Sequence, residues 1–516
     1  SSDWSSDVCS SDLKNKKPEE TTEQQPEVEE KDTKKQPTVS DMKEDEPIPE
    51  DAQTDKELDH LWATKEAYEA QNFSNNFNSK RKWNDLFWNI LFWINFIVSF
   101  VLFMLAKPWK TETYSIKNSS ITRKDMLIIG IISIGVAFVI ALFTYLFILF
   151  APRVYVKFSM FIMLIFLLGS VIPLAILYSP FIIILSGSIF LVVFIYTFKV
   201  CKALNFSADL LKSAAIIMRK FPSLFLFNLC MLIIQSGFTY LFQCGAVICY
   251  CRGISYWIYV YVIISYFWIS QTVTYVTYTT CAGLTSAWYF LNGTEYMPKA
   301  PIIRSLFNAC GPSFGACALA GFLEGIANAF RFIEDKGETN ICFSCVKCCT
   351  KCCLCVIKLF VGAIDRYSLI YCAMFGIPAK QGVKRWKGLK AKKIIKQLLN
   401  SSIIATTFDF YSYGAMAVGA CVCGLFGLLL YEKKSPPYNF LFVFGMGCAL
   451  NGLLLISTPM EVLCDTLFIG FAENPLRLET GAKEIYDVFG DETKKIMDKD
   501  IRVAKGLEDE GGCCCC

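Results

Sequence analysis

The sequence predicts an all-α membrane protein of about ten transmembrane helices behind a disordered N-terminal tail. Three observations carry that prediction. Of the 516 residues, 54% are hydrophobic and only 19% charged, and the mean hydropathy is +0.41, a balance foreign to soluble chains of this length. The apolar residues gather into runs of about 20, the length that crosses a hydrocarbon core. Lysine and arginine collect at the ends of those runs. The net charge of +4 is too small to point to nucleic acid. The single histidine, His60, lies in a polar stretch, so Ser-His-Asp and Cys-His catalysis and histidine-ligated metals lack their parts. The chain is read as a non-enzyme without cofactor or metal.

Taken in order, residues 1–13 (SSDWSSDVCSSDL) repeat Ser-Ser-Asp three times without a basic start or an apolar core. They are no signal peptide and are read as a non-native, artefactual segment. Residues 14–80 are rich in Glu, Lys, Pro and Gln, bury too little to offset chain entropy, and are expected to be a disordered cytosolic tail. The membrane domain is expected over 81–460. Its spans fall near 84–106, 126–150, 158–178, 180–199, 222–248, 255–283, 307–330, 356–378, 408–431 and 437–458. Two are weaker: 307–330 is small and glycine-rich with Glu324 inside it, and 356–378 carries Asp365-Arg366 at its middle. Such segments cross only with their polar groups turned to other helices or water, and without them the count is eight.

Lys80-Arg81-Lys82 places the preceding tail in the cytosol, and KQGVKRWKGLKAKKIIK marks the same side after the weak pair. Residues 461–516 become a cytosolic C-terminal tail under either count. The loop 107–125 falls outside and holds the glycosylation sequon Asn118-Ser119-Ser120, with Asn118 the acceptor. Between the fourth and fifth spans, CKALNFSADLLKSAAIIMRKF has helical apolar spacing. It fits a basic amphipathic helix on the inner leaflet or a connector packed under the bundle.

Seven cysteines crowd into CFSCVKCCTKCCLC: Cys342, Cys345, Cys348, Cys349, Cys352, Cys353 and Cys355. If both weak segments span, the loop is extracellular and disulfides are favoured. If neither does, it is cytosolic beside Lys347 and Lys351 and suits palmitoylation. An all-cysteine zinc site is the third alternative, although such sites place their CxxC pairs farther apart. The terminal Cys513, Cys514, Cys515 and Cys516 read as a cytosolic lipid anchor without the C-a-a-X form.

The sixth span, ISYWIYVYVIISYFWISQTVTYVTYTTCAG, places Trp257, Tyr261, Trp268, Gln271, Tyr275 and Tyr278 on one helical face. Aromatic faces stabilise a quaternary ammonium, which cannot donate ordinary hydrogen bonds, by about 2 kcal/mol per desolvated contact. Helix packing or interfacial belts are the plainer use of such rings. Glu324, an acid inside a span, is a candidate counter-charge or proton carrier. The small residues from Ala309 to Gly321 favour close helix packing, and Asp365-Arg366 is expected to pair locally.

Five segments together resemble one family. RKWNDLFWNILF (81–92) is similar to the start of its first span, and FWISQTVTYVTYTTCAGLTSAWYF (267–290) to its aromatic helix. RSLFNACGPSFGACALAGFLEGIANAFR (304–331) resembles its Ser/Gly-rich helix, IDRYSLIYCAMFGIPAKQGVKRW (364–386) its Asn-Arg-Tyr run, and EVLCDTLFIGFAENP (461–475) its closing motif. The family is that of the choline transporter-like proteins, and the resemblance covers residues 80–480 in order. It implies ten helices, both termini cytosolic, and carriage of choline or a related organic cation such as ethanolamine. No P-loop is present, so transport would be gradient-driven or facilitative. The plasma membrane is the expected location, an organelle membrane the alternative. Asp365 departs from the family's asparagine, Glu324 stands where the family is generally apolar, and the loop 107–125 is as short as in unicellular relatives. A competing reading is an acylated multi-pass scaffold without transport.

Overall fold

The structure, a computed structural model, describes residues 70–78, 81–106, 113–116, 119–162, 201–251, 256–336, 366–390, 404–432, 435–477, 481, 483–488, 494, 498 and 502. The expected spans 158–178 and 180–199 lie almost wholly outside these residues. So do Asn118, the seven cysteines from Cys342 to Cys355, and Cys513 to Cys516.

The described chain is overwhelmingly helical. Helix α1 spans Leu86–Ala106. A two-stranded hairpin follows, β1 (Thr113–Ile116) and β2 (Ser119–Thr122), antiparallel with Thr113 opposite Thr122. Next come α2 (Arg123–Phe150), α3 (Cys201–Lys220), α4 (Pro222–Cys251), α5 (Tyr256–Leu291), α6 (Pro301–Cys310) and α7 (Phe314–Lys336). Then follow α8 (Arg366–Phe375), α9 (Ala379–Lys390), α10 (Ile404–Leu430), α11 (Pro436–Glu473) and the single turn α12 (Lys483–Tyr486). The hairpin is a small departure from an all-α reading. Among the described residues four helices are long and apolar enough to cross a membrane, or five if the bent pair α6–α7 is one span.

Local chemistry explains where the helices begin and break. Thr122 and Asp125 form a capping box at the start of α2: Asp125 N–H donates to Thr122 Oγ1 at 3.2 Å, and Thr122 N–H to Asp125 Oδ2 at 3.0 Å. The expected span 307–330 is not one helix. Pro312 lacks the N–H and fixed geometry that continuation needs, so the chain breaks at Gly311–Ser313 and turns through 67° between α6 and α7. The freed Pro312 carbonyl accepts Asn84 N–H at 3.0 Å.

Helix α5, with 36 residues, is about 54 Å long, far more than a hydrocarbon core of about 30 Å. Its many hydroxyls are satisfied within the helix: Thr272, Thr277, Thr280 and Thr285 each donate to the carbonyl four residues back. Helix α11 is longer still, 38 residues that pass through Pro459. The C-terminal tail therefore does not begin at 461. Met460, Val462, Leu463, Cys464, Leu467 and Ile469 are buried, and the helix reaches Glu473. Helix α3 is the packed connector rather than a leaflet helix, with Leu210, Leu211, Ala214, Ile217 and Met218 buried. Arg153 ties to its Asp209 at 2.7 Å.

The expected disordered stretch 14–80 needs correction at its end. Residues 70–78 are helical, with Ala70, Phe73 and Phe77 buried at helical spacing. Phe73 stacks on Phe290 of α5 at 4.6 Å. Just beyond, Arg81 reaches the C-terminal carbonyls of α8, donating to Ala373 O at 2.9 Å and Met374 O at 3.0 Å. Burial, then the neighbouring Arg304 charge, lower its guanidinium to about 10, so it remains cationic at neutral pH. Asn84 Nδ2 donates to Gly376 O at 2.7 Å, and Ala379 N–H at the start of α9 donates to Asp85 Oδ2 at 3.0 Å. Gly376 (φ +65°) ends α8 in the left-handed conformation that glycine adopts without strain. These contacts form a clasp that holds the start of α1 to the α8–α9 turn.

Candidate functional site

The site is built where α5, α7, α8 and α11 meet. Helices α5 and α7 approach so closely that a Cβ on Gly325 would lie 2.8 Å from the Trp268 backbone, and one on Gly321 2.4 Å from Thr272 Oγ1. Gly321 and Gly325 make a G-x-x-x-G pair, the spacing that lets two helix backbones touch. That contact brings Glu324 under Tyr275, whose hydroxyl donates to Glu324 Oε2. Tyr275 in turn meets Tyr278 edge to face at 6.2 Å.

Beyond Tyr278 lies a charged cluster. Arg366, at the start of α8, donates to Glu461 Oε1 of α11, and its Nε stands 3.6 Å from Asp465 Oδ2. Glu461 and Asp465 are one helical turn apart on the same face of α11. Their like charges are held together by the guanidinium between them, which also lies 5.4 Å above the Tyr367 ring. Asp465, Arg366, Tyr367 and Glu461 are the electrostatic neighbours of Tyr278. The Tyr278 ring is 3% exposed, and among the described residues its hydroxyl has no hydrogen-bond partner. Among the described residues the line Glu324–Tyr275–Tyr278–Asp465/Glu461 gathers three carboxylates and two phenols around one guanidinium. In a low-dielectric interior carboxylates attract a cation strongly, and the rings can face its alkyl groups.

Three of the residues singled out in the sequence, Tyr275, Tyr278 and Glu324, come together here. The others do not join them. From Trp257 to Tyr278 the stripe runs about 30 Å along α5, too far for one pocket. Trp257, at the start of α5, is 76% exposed. Tyr261 ties α5 to α1, donating to Asn95 Oδ1 at 2.9 Å. Trp268 is buried among Phe92 and Phe322, with Nε1 donating to Ala318 O at 3.0 Å, so its role is to pack three helices. Gln271 is half-buried.

The expected local pairing of Arg366 with Asp365 lies outside the described residues, whereas Arg366 reaches Glu461 and Asp465 of α11, nearly a hundred residues on. Glu461 and Asp465 escaped the sequence reading because the span was ended at 458. The signal was an acid pair at i, i+4 in the apolar run EVLCDTLF. A cavity of about 400 Å³ lies elsewhere, between α1, α4 and α5. Its walls are Phe96, Phe100, Phe238, Phe242, Tyr266 and other apolar groups, which offer a cation rings but no charge.

Comparison with known proteins agrees with the helical membrane architecture. The family model described as plasma-membrane choline transporter matches residues 182–476, more than half of the chain. Protein PNS1 of Cryptococcus neoformans is 25% identical over 250 residues, 44% of each chain. A CTL-like protein of Dictyostelium discoideum is 23% identical over 55% of this chain and 52% of its own. Protein PNS1 of Debaryomyces hansenii is 24% identical over 81% of this chain and 88% of its own. The chain thus spans about half the length of the first two relatives and most of the third. The matched segment contains α5, α7, α8 and α11 up to Asn474, hence every residue of the charged junction, and the chain is a multi-pass membrane protein of the plasma-membrane choline transporter family, the choline transporter-like proteins.

Proposed function

We propose that the protein carries choline or a related organic cation such as ethanolamine across the plasma membrane, by gradient-driven or facilitative transport through a ten-span bundle. The observation that carries this reading is the junction of Glu324, Tyr275, Tyr278, Asp465 and Glu461. Among the described residues it gathers three carboxylates around one guanidinium, and the Tyr278 hydroxyl beside them has no hydrogen-bond partner there. A quaternary ammonium requires negative charge and ring faces and no hydrogen-bond acceptor geometry, and the junction supplies both. Family membership supports the substrate class. The carboxylates hold the cation, the tyrosines orient its alkyl groups, and Arg366 keeps the two α11 acids close. No residue here is assigned a catalytic role.

The test is uptake of labelled choline by cells lacking their own carrier, with surface protein quantified. Saturable uptake that falls at least about tenfold, or about 1.4 kcal/mol of lost cation stabilisation, in Glu324→Gln and Asp465→Asn at equal surface level is expected. Trp268→Ala is a poor probe, because that ring packs the helices and its loss lowers the amount of folded protein. Absence of saturable uptake with normal surface protein would contradict transport of choline and favour the scaffold.

A further inference from the structure

Helix α9 carries a charge pattern that cation transport does not use. Its buried positions are Ala379, Gly382, Trp386 and Leu389, a stripe at helical spacing. That stripe packs on α8. The Trp386 ring stacks on Tyr367 at 4.3 Å, and a Cβ on Gly382 would lie 2.5 Å from the Ser368 carbonyl. The apolar face is therefore covered by protein and has nothing left to insert into a bilayer.

The opposite face is basic. Lys380, Lys384, Arg385 and Lys387 are exposed, and the helix contains no acid in its 12 residues. Arg385 also lies 4.7 Å above the Phe375 ring. Lys380, Lys384 and Lys387 pair with no carboxylate among the described residues. The depth of this face is fixed by the clasp. Ala379 N–H bonds to Asp85, the residue immediately before α1, so α9 starts level with the boundary of the first apolar span. Trp83, at the same level, is 60% exposed, as amphipathic rings are among headgroups. Clustered cations at that depth, on a helix that cannot insert, complement the negative potential of an anionic leaflet.

We propose that the basic face of α9 is a docking surface for anionic phospholipid headgroups of the surrounding leaflet. The interaction is electrostatic, so it weakens with salt and discriminates headgroup charge rather than acyl chain. It does not depend on what the protein transports.

The test uses the full-length protein reconstituted with spin-labelled phosphatidylserine or phosphatidylcholine, and reads the ratio of protein-associated to free lipid by electron paramagnetic resonance. The wild type is expected to prefer phosphatidylserine at least about threefold at low salt, and to lose the preference at high salt. Lys380→Gln/Lys384→Gln/Lys387→Gln should lose most of it with an unchanged thermal melt, since all three side chains are exposed. Lys124→Gln, beside the hairpin, should retain it. An unchanged preference in the triple variant, or an equal loss in Lys124→Gln, would overturn the proposal. Displacement of the lipid by inorganic phosphate would also overturn it, assigning the face to a soluble anion.

Discussion

At the clasp end of the bundle the chain ties itself down. Residues 70–78 and 81–85 reach across to α5, α6 and the α8–α9 turn, and Tyr289 Oη donates to Asn474 O at 2.9 Å. Arg477 Nε donates to Tyr289 O at 3.3 Å. Trp288, Tyr289, Leu291, Ile370 and Tyr371 are at most 1% exposed. At the hairpin end α1, α4 and α5 part around the 400 Å³ cleft. The closed end is held by several bonds to backbone carbonyls as well as by ring stacking. At the open end, by contrast, side-chain bonds such as Tyr261 to Asn95 join α1 to α5, and aromatic rings such as Phe242 on Tyr266, at 4.0 Å, join α4 to α5. Directed bonds fix one geometry, while ring contacts tolerate sliding. The difference places the rigid part of the molecule beside the charged junction and the adaptable part at its opposite end.

Substitutions that remove the closed end's fixed points should cost most. Arg366→Met removes the guanidinium that Glu461 and Asp465 share and should destabilise by about 3–5 kcal/mol, read as the thermal midpoint of the detergent-solubilised protein. Midway along the bundle, Gly325→Ala must push α5 away from α7, because the added Cβ meets backbone. A loss of about 2 kcal/mol is expected, with cysteine cross-linking between α5 and α7 weakened. Arg81→Gln removes charged bonds to Ala373 and Met374 and should cost about 2 kcal/mol, with faster proteolysis after residue 78. Gly245→Ala sharpens the contrast from the other end. Its Cβ would meet only Phe103, at 3.5 Å, and the thermal midpoint should correspond to a change within about 0.5 kcal/mol. Equal sensitivity at Gly245 and Gly325 would break the comparison.

What could be read beforehand follows the same division. Helices α1, α2, α4 and α10 lie within a few residues of their expected spans, because lipid-facing helices are uniformly apolar and hydropathy measures that directly. The protein-facing parts were harder. The segment 70–78 looks polar, and only Phe73 and Phe77, set at helical spacing, reveal that it docks. The expected span ends at 458, where Pro459, Glu461 and Asp465 interrupt the apolar run, yet α11 continues, with Arg366 from α8 set against both acids. A pairing that spans nearly a hundred residues leaves no local signature. The site was half legible for the same reason. Tyr275, Tyr278 and Glu324 could be found from residue type and position. Trp268 looked equally suited, and only packing against Phe92 and Phe322 assigns it elsewhere.

The carboxylates gathered at this junction are proposed to bind an organic cation. Titration of purified wild-type protein with choline by calorimetry, beside Glu324→Gln and Asp465→Asn, tests it most directly. The account predicts saturable binding to the wild type and at least about tenfold weaker binding to both variants, equivalent to about 1.4 kcal/mol. Binding of equal affinity in all three proteins would contradict it and place the cation outside the junction.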